Sequence, residues 1–262
     1  MEFMMWRDER ALAQSRAFRV RPVPLLRPLG WLARGWKDLL RCPLPGLLHG
    51  LASAVFGVLL LSVAHRQFWW LAGAFSGFLL VAPVVATGLY AISRALERRE
   101  PATLATALSA WIPRDRRLVV FGLLLALAGT GWVVTSASLI TGFAGGPVDK
   151  PLDFLRVVVL ARDGWLFEAW LLLGGVLAAP VFASSVVAIP MLLDREVGVH
   201  AAVLTSWRVV MEHPAPMALW AALLMGLSAL GMVTAMLGLV VVVPWLAHAS
   251  WHAYRDLVES DA

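Results

Sequence analysis

The chain has 262 residues, 60% of them hydrophobic and only 15% charged, with a net charge of +5 and a mean hydropathy of +0.76. Such a composition excludes an ordinary soluble domain and points to a polytopic membrane protein. Cys42 is the single cysteine, which excludes an intramolecular disulfide.

The N-terminal segment, residues 1–28, reads as a basic, proline-containing tail. Residues 1–18 can form a short helix with Phe3, Met4, Met5, Trp6 and Leu12 as apolar members. Pro22, Pro24 and Pro28 then preclude a regular helix. Such a tail either lies against anionic headgroups or stays a disordered leader. It has no continuous apolar run of the signal-peptide type, so the first span is expected to serve as its own insertion signal.

After residue 45 the chain is dominated by apolar stretches. Crossing a hydrocarbon core takes about 20 apolar residues in a helix. Six spans are predicted: Gly46–Ala64, Phe68–Ser93, Leu118–Phe143, Trp165–Leu193, Met217–Ala235 and Leu237–Ala253. The last two form one run too long for a single crossing, so a reversal is expected near Gly238. None of the runs alternates apolar and polar residues as barrel strands do, which leaves helices. The predicted fold is all-α, six transmembrane helices in three hairpins.

Each hairpin is introduced by a short amphipathic segment centred on a tryptophan: Trp36, Trp111 and Trp207. The first offers Leu29, Leu32, Trp36, Leu39 and Leu40 as one stripe, with Arg34, Lys37, Asp38 and Arg41 opposite. The second offers Leu104, Leu108, Trp111 and Ile112; the third offers Val203, Trp207, Val210 and Met211. These segments are too short to span and are expected to lie in the interface, with the tryptophans as anchors. Pro83, Pro180 and Pro244 interrupt the even-numbered spans. Together these features predict a membrane domain over residues 29–258 made of three repeat-like units, about 29–93, 101–193 and 199–256. The largest outer loop runs from about Ala144 to Gly164, with a short surface helix expected over Leu152–Ala161.

Basic residues are unevenly spread. Nine precede the first span and six lie over residues 94–117, whereas the opposite loops hold Arg66, Lys150, Arg156 and Arg162. This distribution reads as membrane topology, with no nucleic-acid partner and both termini cytoplasmic.

Residues able to do chemistry are few. Glu168 is the one acidic residue inside an apolar stretch, and its place beside Trp165 and Trp170 reads as interfacial. His248 and His252, four apart on one helix face, and His49 near the same boundary are weak candidates for a metal or haem site. Asp38, Asp194 and Asp256 stand near helix–membrane boundaries, where a solvated or arginine-paired role suffices. There is no GxSxG elbow, phosphate loop or HExxH pattern. No catalytic residue and no cofactor is therefore assigned.

Several blocks carry a family likeness: Gly30-Trp-Leu-Ala-Arg-Gly-Trp-Lys-Asp-Leu, Ser76-Gly-Phe-Leu-Leu-Val-Ala-Pro, Gly88-Leu-Tyr-Ala-Ile-Ser-Arg, Ile189-Pro-Met-Leu-Leu-Asp-Arg and His248-Ala-Ser-Trp-His-Ala-Tyr-Arg-Asp-Leu. Over roughly residues 28–258 the chain resembles a bacterial family of predicted integral membrane proteins known only as a domain of unknown function. The resemblance implies an inner-membrane location and no established activity. Some members bear a cytochrome c oxidase label, but this sequence lacks the haem–copper histidine set of that enzyme's catalytic subunit.

The functional expectation is a non-catalytic accessory or assembly factor in contact with the lipid bilayer and with a membrane-protein partner or a second copy. A small-solute or lipid transporter with its path near the three prolines is the alternative, and a redox or haem-binding subunit the third reading. The topology has a direct test. Cysteine introduced at Asp153 should react with an impermeant thiol reagent from the periplasmic side. Cysteine at Glu97, like the native Cys42, should not; the reverse pattern overturns the orientation.

Overall fold

The computed structural model describes residues 2–64, 73–74, 86–110, 116–161 and 164–259. Most of these residues are helical, and one antiparallel bridge joins Val20 and Val258. In chain order the helices are α1 (Glu2–Ala17), α2 (Arg27–Arg41), α3 (Pro43–Ala64), α4 (Thr87–Arg98), α5 (Leu104–Ser109), α6 (Arg116–Phe143), α7 (Pro151–Phe154, continued by a π turn over Leu155–Val159), α8 (Leu166–Ser185), α9 (Ala188–Asp194), α10 (Val199–Glu212), α11 (Pro214–Val233) and α12 (Leu239–Leu257).

Among the described residues four stretches are long and apolar enough to cross a membrane: Pro43–Ser62, Arg116–Phe143, Leu166–Asp194 and Pro214–Val233. They correspond to the first, third, fourth and fifth predicted spans. Most of the second predicted span, with Pro83, lies outside the described residues; its end forms α4. The sixth forms α12, whose second half carries His248, Ser250, His252, Arg255 and Asp256 and so does not read as a lipid-facing span. The reversal expected near Gly238 is present as a turn between α11 and α12. Ala235 and Met236 take left-handed conformations there, and the Thr234 hydroxyl accepts from the Gly238 N–H at 3.0 Å.

The chain divides into two compact units. The larger contains residues 1–54, 83–121 and 182–262, and its core is built on α2 lying along α12. Gly35 permits that approach, since a methyl group built there would stand 2.5 Å from the backbone nitrogen of Ala249. α3 meets α12 through a second glycine. Pro244 has no N–H to give the carbonyl of Val240 four residues earlier. That carbonyl lies directly where a side chain on Gly50 would be, so only glycine fits. A bare Cα beside a carbonyl oxygen also allows a weak C–H···O contact. Trp31, Trp220, Trp251 and Tyr254 are fully buried in this unit, and Trp31 meets Trp220 edge-on at 5.5 Å.

The face that α2 turns inward differs from the expected stripe. Trp31, Leu32, Gly35, Asp38 and Leu39 are buried, whereas Leu29, Trp36 and Leu40 are exposed. α10 behaves alike: Ala201, Ala202, Thr205, Ser206 and Val209 pack inward and Trp207 and Met211 face out. In α10 the mostly small and polar face meets protein, in α2 a mixed face with Gly35 and Asp38 among large apolar residues, and the Trp36 and Trp207 faces are left for a non-aqueous surrounding.

The N-terminal tail is docked rather than loose. Ser15 of α1 is buried against α10, where Thr205 donates to its hydroxyl at 3.0 Å and Arg208 donates to its carbonyl at 2.8 Å. Residues after α1 are irregular, as the prolines require, and pair with the other end of the chain: Arg21 N–H donates to Leu257 O at 2.9 Å and Glu259 N–H to Arg19 O at 3.0 Å.

The smaller unit, residues 55–82 and 122–181, holds a local core of Ile140, Val148, Val158 and Leu166 beneath the 144–164 loop. The expected surface helix there is α7 with its π turn. Trp170 anchors the core, packing on Phe154 at 5.3 Å and donating to Ser136 at 2.6 Å.

Gly50→Ala should destabilise the protein by about 1–3 kcal/mol, the usual cost of overpacking a close contact. Gly30→Ala, where nothing lies within 4 Å of an added methyl, should leave thermal unfolding in detergent unchanged or slightly raised. Equal effects of the two would contradict the packing described.

Candidate functional site

The inner faces of α2, α3, α4 and α12 bring polar side chains together inside the larger unit. Asp38 sits on the buried side of α2, between Trp31 and Leu39. Ser93 lies on α4, every residue of which from Thr87 to Ser93 is buried. His248 and His252 project one turn apart from α12. Asp38 Oδ2 is the centre: Ser93 Oγ donates to it at 2.8 Å and His252 Nε2 stands at 2.8 Å. Ser93 Oγ is also 2.8 Å from His248 Nδ1. His49, on α3, places its Nδ1 2.7 Å from the carbonyl of Pro45, and a carbonyl can only accept.

Burial alone would raise the Asp38 carboxyl. The His252 hydrogen bond and charge, the Ser93 hydroxyl and the nearby His248 outweigh it and hold the group below the usual carboxylate range. An ionised Asp38 fixes the proton positions. The one Ser93 proton goes to the carboxylate, so His248 must donate from Nδ1 to Ser93 Oγ. Its Nε2 then carries a lone pair. That nitrogen is buried and has no hydrogen-bond partner, and it lies 3.7 Å from where a side chain on Gly46 would begin.

Of the three histidines singled out in the sequence, His248 and His252 converge on a hydroxyl and a carboxylate, and His49 is bound to the Pro45 carbonyl. Among the described residues no three His, Cys, Asp or Glu side chains form a group that could hold a metal ion. Asp38 is not the solvated or arginine-paired carboxylate expected; it is 5% exposed and its partners are Ser93 and His252. Ser93 escaped the sequence reading because one hydroxyl in an apolar stretch gives no signal of its partners.

The other two aspartates do take arginine. Asp256 accepts from Arg27 at 2.6 Å, from Trp31 at 2.8 Å and from Arg34 through both oxygens. Asp194 accepts from Tyr254 at 2.9 Å and pairs with Arg98, Arg195 and Arg255. Glu97 accepts from Trp251 at 3.1 Å and Arg255 at 3.0 Å. These pairs fasten α2, α4, α9 and α12 along the polar end of the unit.

The remaining predicted residues are dispersed. Trp36 is exposed and packs edge-on against Trp245 at 5.3 Å; Trp207 is exposed and donates to Ser184 at 2.9 Å. Trp111 lies outside the described residues, as does Pro83. Pro244 is buried, while Pro180, in the smaller unit, is exposed. Glu168 is exposed in the first turn of α8, in keeping with an interfacial place.

Residues 70–194 match the model of a family described as predicted integral membrane protein (DUF2189), the kind of family that the sequence blocks resemble. No curated protein and no solved structure gives a match.

The Asp256 cluster makes stability pH-dependent. Burial raises its carboxyl, but hydrogen bonds from Arg34, Arg27 and Trp31 lower it further, so its pKa is depressed on folding. Its contribution is complete above the unfolded carboxylate pKa and is lost as pH falls through the folded value. The arginines are partly exposed, so Asp256→Asn should cost only about 1–2 kcal/mol at neutral pH. That gap should close as pH falls through the depressed folded value, below the usual carboxylate range. Denaturant melts of both proteins across pH in detergent check this, and a pH-independent gap would refute it.

Proposed function

We propose that this integral membrane protein is a non-catalytic accessory or assembly factor of the bacterial inner membrane. In this reading it crosses the bilayer six times, with both termini on the cytoplasmic side. The basic residues before α3 and over 94–117 support that orientation. The outward tryptophan faces of α2 and α10 support interfacial placement, with Trp36, Trp111 and Trp207 as anchors.

The observation that carries the accessory reading is the closure around Pro244. A proline-broken helix serves a transport path when its freed carbonyl lines a cavity. Here the Val240 carbonyl is covered by the backbone of Gly50. The same unit has fully buried tryptophans, and the other end of α12 is cross-linked by hydrogen bonds and ion pairs. A packed interior of this kind suits a protein that presents a surface to another membrane protein.

The test is gentle detergent extraction followed by native mass spectrometry and an absorption spectrum. A stoichiometric protein partner, retained through purification, is the expected result. A defined bound lipid or solute with no protein partner would replace this reading with the transporter, and visible absorbance with bound iron or copper would replace it with the redox subunit.

A further inference from the structure

The arrangement of His248, Ser93 and Asp38 has a property that packing does not require. Three groups on three helices are joined by two 2.8 Å hydrogen bonds, and the chain ends on a buried nitrogen with no partner. A core designed only for stability would place an apolar side chain at 248, because an unmatched buried polar atom is costly. Chains of Asp and His at membrane depth carry protons in many pumps and transporters.

We propose that His248 Nε2 is a proton-binding site, loaded through reversal of the hydrogen-bond chain that ends on Asp38. In the unloaded state Nδ1–H of His248 donates to Ser93 Oγ, and Ser93 O–H donates to the Asp38 carboxylate. A proton arriving at Nε2 forms a new N–H bond there. The Nδ1 proton moves to Ser93 Oγ as the Ser93 proton moves to Asp38 Oδ2. The products are neutral His248 protonated on Nε2, an unchanged serine and a neutral Asp38 carboxylic acid. Both hydrogen bonds now run the other way. Charge balances, because the added proton cancels the carboxylate and no imidazolium remains in the apolar interior.

Serine suits the middle position, since one hydroxyl both donates and accepts and can exchange those roles by rotating. The groups facing His248 are Asp38 from α2, Ser93 from α4, His252 from its own helix and His49 from α3. His252 is the most exposed member of the set at 15%, which makes it the exit to solvent. Once His252 has given its Nε2 proton to water and taken one from water on Nδ1, Nε2 accepts the Asp38 proton and Nδ1 returns its own to water, which restores the Nε2–H donor. The inference is independent of the accessory role, since a proton site can serve either a regulated scaffold or a coupled transporter.

The test is nitrogen NMR of histidine-labelled protein in phosphatidylcholine nanodiscs, with infrared detection of the carboxylic acid band, from about pH 8 down to below the usual carboxylate range, since Asp38 is held beneath it. At high pH His248 should be protonated on Nδ1 and bare on Nε2. On acidification it should change to the Nε2–H form in step with the appearance of a protonated-carboxyl band that Asp38→Asn abolishes. Ser93→Ala should separate the two events, and Ser93→Thr should restore them. Coupled exchange of the His248 ring proton with deuterated water should slow by roughly a hundredfold in Ser93→Ala, the order contributed by a positioned proton carrier. Should Ser93→Ala not fold, Asp38→Asn serves instead. It keeps hydrogen-bonding capacity at 38 but removes the ionisable acceptor, so the His248 tautomer should no longer switch. An Nε2–H tautomer at pH 8, an imidazolium at 248 on acidification, or switching unchanged in Ser93→Ala would each overturn the proposal.

Discussion

The close contact of α2 with α12 is the constraint on which the larger unit depends. Gly35 brings the helices near enough for Asp38 to sit inside the protein. A carboxylate in that position must be matched by donors, since leaving it bare would cost several kcal/mol. The donors come from Ser93 on α4 and His252 on α12. One glycine and one aspartate thereby fix the relative placement of three helices. The arginine clusters on Asp256 and Asp194 then fasten the same helices at their polar end, where solvent and salt weaken each pair.

A second constraint comes from proline. Pro244 removes one backbone hydrogen bond from α12, and in an apolar surrounding the carbonyl left behind needs cover. Gly50 supplies it by backbone contact. The pairing explains why a proline can sit in a buried helix and why α3 lies where it does. It also separates Pro244 from Pro180, which is exposed on α8. Two prolines that look equivalent along the chain have different surroundings.

Much of the architecture was legible from the residues. Apolar runs located four of the membrane-length helices, the turn near Gly238, and α2 and α10 as separate amphipathic pieces. The direction in which those amphipathic helices face was misread for α2. A helical-wheel argument assumes that water bathes the side away from protein, so Leu29, Trp36 and Leu40 were grouped with the buried Leu32 and Leu39. Beside a bilayer both sides can be apolar, and the close approach at Gly35 and the hydrogen bonds of Asp38 help decide which face meets protein. Asp38 was misjudged for the same reason. Its partners lie 55 and 214 positions away, and no local pattern announces a pairing at that distance. Asp256 and Asp194 were easier, because arginines are abundant at that end of the unit.

The pairing of residues 19–21 with 257–259 bears on how the chain is made. The Arg21 N–H and the Arg19 carbonyl find their partners on Leu257 and Glu259. At ordinary elongation rates those partners leave the ribosome some 10–50 seconds after the N-terminal segment. The early segment must therefore wait, unzipped, while every intervening helix is synthesised. Its three prolines and many arginines suit that delay, since they keep it extended and resist premature pairing with the wrong neighbour. Closure of this short seam waits until residues 257–259 have emerged, and a chain cut before them lacks it.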